Sequence, residues 1–127
     1  MESEIVIIGG GAAGIMAAIE VRKNGKEVIV LERKDRILKK VLVTGNGRCN
    51  ITNIRADILN YFSIGEGKEK IKGILDDFSP KNTMEFFENL GIVCNEEVKG
   101  KIYPLSGQAS SVVDALRFEA EKLGVKF

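Results

Sequence analysis

IVIIGGGAAG, residues 5–14, is a short run of β-branched residues that ends at three consecutive glycines. An apolar run of this length is typical of a strand that is buried on both faces. From Ala12 to about Lys23 the residues favour a helix, and Gly25 stands where a C-terminal cap is expected. A second apolar strand follows over residues 27–32 and ends in an acid. Strand, helix and strand within about 30 residues predict a βαβ unit with a right-handed crossover.

The glycines fit the pattern G-x-G-x-x-G at Gly9, Gly11 and Gly14. The first permits a tight turn, the second lets the backbone approach a pyrophosphate, and the third lets helix and strand pack closely. The N-terminus of the helix adds free N–H groups and partial positive charge. Glu32, at the end of the second strand, can accept the ribose hydroxyls of an adenosine. The pattern therefore predicts a dinucleotide site, and a glycine turn without a ligand is the alternative.

The residues after the second strand bear on which dinucleotide binds. Glu32 opposes a 2′-phosphate because two anions would meet, whereas Arg33 beside it could accommodate one. A basic run follows Glu32 and comprises Arg33, Lys34, Arg36, Lys39 and Lys40. This run is either a solvated loop or a neighbour of a diphosphate.

The middle of the chain changes character. Residues 33–67 are rich in glycine and polar side chains and have no clear helical period, which predicts a long ordered loop. Residues 68–78 place apolar side chains on one helical face. Ser79 followed by Pro80 predicts an N-cap and the first position of another helix, which would run to Leu90 and stop at Gly91.

The last third of the chain predicts a small β-hairpin and a helix. Residues 92–98 and 101–103 flank a turn at Lys99-Gly100, and residues 109–123 carry an apolar stripe at helical spacing. Residues 125–127 then resemble the first residues of a strand. An incomplete parallel sheet exposes a row of unpaired backbone groups, so we expect self-association through the truncated sheet edge.

Composition excludes several classes of function. Hydrophobic residues make up 44% and charged residues 29%, and the net charge of +1 provides no field that selects nucleic acid. No apolar run is long enough to cross a membrane, and the acids Glu2 and Glu4 oppose a signal peptide, so we expect a cytoplasmic protein. There is no histidine, and Cys49 and Cys94 have no metal-binding spacing, so we expect neither a metal site nor a histidine base.

A second motif covers residues 40–53, KVLVTGNGRCNITN. Gly45 and Gly47 would let backbone N–H groups face a ligand, and Arg48 could bridge a phosphate or hold a neighbouring loop. The alternative is a turn stabilised by asparagine and glycine. For Cys49 we favour a structural or cofactor-contacting role over a redox role, because no second cysteine stands at CxxC spacing.

This segment resembles the HI0933-like flavoproteins, the BaiN/RdsA group of FAD- and NAD(P)-dependent oxidoreductases. Their members carry a glycine fingerprint followed by K-x-L-x-(S/T)-G-x-G-R-C-N-x-T-N. Residues 100–106, GKIYPLS, are similar to the family's G-R-hydrophobic-(F/Y)-P-x-S segment. The resemblance implies an α/β, Rossmann-like FAD/NAD(P)-binding three-layer fold with an incomplete parallel sheet. Because family members are several times longer, residues 1–127 would be the N-terminal part of that domain, without the remaining sheet and the substrate domain.

The resemblance also implies a function: this chain would be the FAD-binding portion of a flavin-dependent oxidoreductase, with NAD(P)H as a candidate reductant and a small-molecule substrate. It would hold the ADP moiety and diphosphate of FAD and be inactive alone, and no residue is singled out as an acid or base. The alternatives are a non-catalytic truncated dinucleotide-binding fragment and part of a flavin-dependent tRNA-modifying enzyme, which the near-neutral charge disfavours. The cofactor contacts implied by the resemblance are Gly9, Gly11, Ala12, Ala13, Gly14, Glu32, Arg33, Lys40, Thr44, Gly45, Arg48, Cys49 and Asn50.

Overall fold

The computed structural model describes residues 3–127, which form two compact units. The first unit contains the N-terminal residues through Cys49 together with residues 108–127, and the second contains residues 50–107. The second unit is therefore an insertion, in sequence, within the first.

The first unit is organised around two parallel strands, β1 (Ile5–Ile8) and β2 (Val28–Leu31), joined by helix α1 (Ala12–Lys23). The strands pair in register from Ile5 with Val28 to Ile8 with Leu31. Asn24 is the C-cap of this helix, and Gly25 follows with a φ of 76°, the left-handed conformation common after a helix. The predicted βαβ unit is confirmed.

Helix α1 packs on one face of this sheet, and helix α4 (Ala109–Lys122) packs beside α1. Val28 and Val30 are at most 1% exposed on that face. Burial of each such aliphatic side chain contributes about 1.5–3 kcal/mol to stability. The core of the first unit also includes Ile15, Ile19, Leu38, Val112, Leu116 and Ala120.

The chain after α4 returns to the sheet. Gly124 turns it with a φ of 81°, and Lys126 forms a parallel bridge with Ile29. The N–H of Val30 donates to the carbonyl of Lys126 at 2.8 Å. The expected strand start is therefore confirmed, and β2 is paired on both edges.

The opposite face of the sheet carries apolar side chains that remain exposed. Val6 is 55% exposed, Ile8 88% and Leu31 50%. Because these residues alternate with the buried ones along each strand, they share a single face. Within residues 3–127 the first unit thus covers only one side of its parallel sheet.

The second unit contains two helices, α2 (Gly67–Asp77) and α3 (Pro80–Asn89). Both agree with the sequence-based expectation to within one residue. The Ser79 hydroxyl accepts the N–H of Asn82 at 3.2 Å, while Pro80 occupies the first helical turn. Ser79 is therefore the predicted N-cap.

A small antiparallel sheet completes the second unit. Strands β4 (Cys94–Glu96) and β5 (Lys101–Pro104) form the predicted hairpin, and β3 (Thr52–Asn53) pairs with the other edge of β5. The prediction of a loop without regular structure over residues 33–67 is wrong at β3 and at the short 3₁₀ turns Val41–Gly47 and Ile58–Asn60. Such short elements carry no periodicity, because they are fixed by pairing with distant residues.

Candidate functional site

The glycine turn after β1 lies against the end of β2 and the start of α1. Gly9 has a φ of 103°, and its N–H donates to the carbonyl of Leu31 at 2.8 Å. A Cβ on Gly14 would lie 1.9 Å from the carbonyl oxygen of Gly9. Gly14 is therefore required by the packing of the helix against the turn.

Gly11 presents the opposite case. A Cβ at this position would meet nothing within 4 Å, and the backbone is extended with φ −79° and ψ −176°, a conformation open to any residue. Gly11 is the N-cap of α1, no side chain caps the helix there, and the first turn contains no acid. Nothing in the packing of the described chain requires glycine at residue 11, and the N-terminus of α1 faces open space.

Glu32 is tied to the same turn by both carboxylate oxygens. Its Oε1 accepts the N–H of Lys34 and its Oε2 accepts the N–H of Gly10, each at 2.8 Å. These backbone hydrogen bonds, that from Lys34 first, lower the pKa of the carboxyl. The group is therefore ionised at neutral pH, and each oxygen retains a lone pair that can accept from a ligand.

Gly10 is buried between this carboxylate and the loop that follows it. A Cβ on Gly10 would lie 2.7 Å from Cγ2 of Ile37. The carbonyl of Gly10 accepts the N–H of Leu38 at 2.6 Å. The glycine turn, Glu32 and the loop are thus held together by backbone groups.

Three clefts that share lining residues follow this turn. The glycine cleft, of about 430 Å³, contains the turn and the start of α1 together with Lys40, Val41 and Thr44. The basic cleft, of about 480 Å³, is lined by Gly10, Gly11, Glu32, Lys34, Arg36, Lys39, Lys40 and Val43. Gly11 and Lys40 line both.

Two of the four cations of the basic cleft share one acid as their partner, and the other two have no ion pair in the described chain. Lys39 Nζ lies 2.7 Å and Arg36 Nε 3.6 Å from the carboxylate of Asp35. Lys34 and Lys40 form no ion pair with any residue of the described chain. An unneutralised ammonium beside an open helix N-terminus favours an anion.

The third cleft, the Arg117 cleft, has a volume of about 330 Å³ and shares Glu32, Lys34 and Arg36 with the basic cleft. Arg117 is held by Glu121 at 3.0 Å and by Asp114 at 3.4 Å, and the hydrogen bond to Glu121 is the main cause of its raised pKa. The apolar part of the wall consists of Val30, Ile37 and Phe127.

Residues 41–49 of the second motif form a compact loop that includes Thr44 of the glycine cleft. The Thr44 hydroxyl donates to the carbonyl of Val41 at 2.7 Å, and Gly45 and Asn46 adopt left-handed backbone angles with φ 54° and 56°. Cys49 is buried, and its N–H donates to the carbonyl of Thr44 at 2.9 Å. Burial raises the pKa of the Cys49 thiol despite a hydrogen bond with Thr44. The thiol is therefore protonated at neutral pH, which favours a structural role.

The structure brings many of the predicted contacts together and separates others. Gly9, Gly11, Ala12, Ala13, Gly14, Lys40 and Thr44 line the glycine cleft, and Glu32 joins them through the basic cleft. Arg33, Gly45, Arg48 and Cys49 line none of these three clefts. The Asn50 amide donates to the carbonyls of Ile102 at 2.9 Å and Thr52 at 3.0 Å. The cofactor roles of these residues stay predictions.

Sequence reasoning missed part of the cleft wall. Lys34 and Arg36 belonged to the basic run but were not singled out as site residues. The alternation of basic residues after Glu32 could have indicated them. Arg117 and Phe127 gave no signal, because they come from a distant part of the chain that only the fold brings to Glu32.

Comparison with known proteins identifies relatives over almost the whole chain. Residues 3–127 match the family model described as HI0933-like protein Rossmann domain. A 3-dehydro-bile acid delta(4,6)-reductase from Clostridium scindens is 45% identical over 98% of this chain. A ribosomal RNA dihydrouridine synthase from Haemophilus influenzae is 32% identical over the same share. The chain spans 30% of the length of each of these relatives.

Solved structures share the fold. A 3-ketosteroid-delta4-(5alpha)-dehydrogenase from Rhodococcus jostii superposes with a TM-score of 0.72 at 17% identity, covering 98% of this chain and 37% of its own. THI4 from Thermovibrio ammonificans gives 0.60 at 20% identity, with the same coverage of both chains. Within residues 3–127 no helix has the length and apolar character needed to cross a membrane.

Proposed function

The chain belongs to the HI0933-like Rossmann-domain family, and we propose that its first unit holds the ADP half of FAD for a flavin-dependent oxidoreductase. The observation that carries this proposal is the contrast between Gly14 and Gly11. The protein's own packing requires Gly14, whereas Gly11 has open space above it. A glycine beside an uncapped helix N-terminus is what the close approach of a diphosphate requires.

Each part of the ADP moiety has a matching group in this proposal. The diphosphate would accept N–H groups at the start of α1, with Lys40 as the neighbouring cation. The ribose hydroxyls would donate to the free lone pairs of Glu32. The adenine would lie in the Arg117 cleft, against the apolar side chains of Val30 and Ile37.

The residues of this chain contribute binding and orientation. FAD, when bound, supplies hydride and electron transfer, chemistry that amino-acid side chains do not provide. The relatives named above as a reductase and a dihydrouridine synthase support an oxidoreductase activity, with NAD(P)H as the proposed reductant. The substrate of the whole protein is proposed to be a small molecule, as in the bile-acid relative.

Titration with FAD, ADP, NAD and NADP tests the proposal. FAD and ADP should bind, and NADP should bind more weakly than NAD because its 2′-phosphate would meet the carboxylate of Glu32. Glu32→Gln should weaken the binding of ADP. The control is Glu69→Gln, which changes an exposed acid of α2 and should leave every affinity unchanged. Tighter binding of NADP than of FAD or ADP would overturn the assignment of the ribose site.

A further inference from the structure

The second unit contains a cleft of its own, with a volume of about 670 Å³. This volume lies within the range of about 300–1,000 Å³ usual for small-molecule sites. We call it the Arg55 cleft, and its lining residues are Asn53, Arg55, Ala56, Asn60, Tyr61 and Lys99. No acid lines it, so a cationic ligand is disfavoured.

The two cations of this cleft have no anionic partner in the described part of the chain. Arg55 and Lys99 form no ion pair there, whereas Lys72 is paired with an acid on its own helix. The positive charge of the two side chains is therefore not neutralised within the protein.

Asn53 ties together the two backbone segments that carry these cations. Its Oδ1 accepts the N–H of Arg55 at 2.9 Å, and its Nδ2 donates to the carbonyl of Lys99 at 3.1 Å. Gly100 is buried beneath them, and a Cβ there would lie 2.9 Å from Cγ of Arg55. The aliphatic stem of Arg55 therefore packs directly over the backbone of Gly100.

We propose that the Arg55 cleft binds the phosphate group of a nucleotide. A guanidinium and an ammonium together suit a phosphate, because the first offers a planar fork of donors and the second a compact charge. Tyr61 is 40% exposed on the same cleft and offers its ring to a base. All the residues belong to the second unit, so this site goes beyond the proposed ADP site of the first unit. The nucleotide is either free or part of a nucleic-acid strand.

Changes in the amide chemical shifts of the full chain on titration with a ligand test the proposal, because they show which residues the ligand contacts. Inorganic phosphate, UMP and a uridine hexanucleotide are titrated separately into the chain, and their shifts are compared with those that ADP produces at the first unit. UMP should produce saturable shifts at residues 53–61 and 99–100 and should bind more tightly than phosphate. Tyr61→Leu should lower the affinity for UMP to that for phosphate.

Substitutions of the two cations test their role directly. Arg55→Gln and Lys99→Asn should each weaken UMP binding about tenfold, and asparagine suits the left-handed backbone of residue 99, whose φ is 63°. Arg55→Lys, which keeps the charge and loses the fork, should have an intermediate effect. Lys101→Gln, an exposed cation of β5 outside the cleft, is the matched control and should change affinity less than about twofold.

The remaining outcomes are distinguishable from failure of the ADP site. Tighter binding of the hexanucleotide than of UMP assigns a strand as the source, and equal affinities assign a free nucleotide. Absence of shifts at residues 53–61 and 99–100 overturns the proposal, as does an equal loss of affinity in Lys101→Gln. Both results leave the ADP titration of the first unit unaffected.

Discussion

Alanine at Gly14 should destabilise the first unit, whereas alanine at Gly11 should not. The new Cβ at residue 14 would lie 1.9 Å from the carbonyl oxygen of Gly9, about 1 Å inside the 3.0 Å that real Cβ atoms keep. Because the neighbour is a backbone atom, no rotamer change relieves the contact. Overpacking costs about 1–3 kcal/mol, and displaced backbone belongs at the upper end. The better helix propensity of alanine offsets about 1 kcal/mol of this, so we expect a net loss of about 2 kcal/mol.

At Gly11 the same substitution meets open space in an extended backbone conformation. Loss of a glycine N-cap costs less than about 1 kcal/mol, because glycine is itself a modest cap. The methyl group would instead occupy the space through which we propose the diphosphate approaches, so ADP affinity should fall at least about tenfold.

Urea denaturation followed by circular dichroism measures the first effect, and calorimetry with ADP measures the second. The two variants serve as controls for each other, since one is expected to lose stability and the other binding. A Gly14→Ala variant as stable as the unchanged protein would refute the close approach of helix and turn. Normal ADP binding by a folded Gly11→Ala variant would refute the diphosphate site.

Four further predictions concern charge and association. Glu32→Gln replaces an acceptor oxygen by a donor and should weaken ADP binding about tenfold in calorimetry; an unchanged affinity would remove Glu32 from the site. Lys40→Gln should weaken ADP more at low than at high salt, with adenosine binding unaffected; a salt-independent loss would argue against a charge effect. The hydrogen bond from Arg22 is the main cause of the lowered pKa of Glu27. The ionised carboxylate therefore stabilises the folded state fully above the ordinary pKa of 4.5, and this stabilisation is lost as the pH falls through the lower pKa of the folded state. Glu27→Gln should flatten the acid side of the curve of stability against pH, and identical curves for the two proteins would contradict this. Light scattering across a dilution series should show self-association of the chain. Val6→Lys places a charge on the exposed apolar face of the sheet and should weaken this association. A monomer at every concentration would disprove the self-association.

The features that the sequence predicts correctly are local ones. The bounds of α1 follow from glycines at its two ends, and Ser79 and Pro80 place the start of α3 because capping depends on adjacent residues. The strand start at residues 125–127 follows from an apolar stretch after a helix stop, whereas its pairing with Ile29 was not predicted.

The features that it misses depend on distant partners. Strand β3 exists because Thr52 pairs with Ile102, and two residues are too few to show alternation. Leu38 is buried with a φ of 58°, a conformation that a branched side chain rarely adopts and that no local pattern indicates.

The same distinction holds for the candidate site. The glycine turn and Glu32 were predictable because one βαβ unit contains them all. The Arg117 cleft required the packing of α4, and the Arg55 cleft required the hydrogen bonds of Asn53 to two separate segments. Contacts between elements far apart in the sequence produce no characteristic spacing of residues from which they could be predicted.

The insertion of residues 50–107 within the first unit has a consequence for synthesis on the ribosome. The hydrogen bond from Arg22 to the carbonyl of Leu123 joins residues 101 positions apart, so the first unit cannot close until its last helix has emerged. The second unit is contiguous, and all its strands and helices leave the exit tunnel earlier. We therefore expect the second unit to complete its structure before the first, although N-terminal structure usually forms first during synthesis. The apolar strands β1 and β2 therefore stay exposed on the nascent chain until α4 has been synthesised. During this interval the chain exposes the most apolar surface to a holdase chaperone.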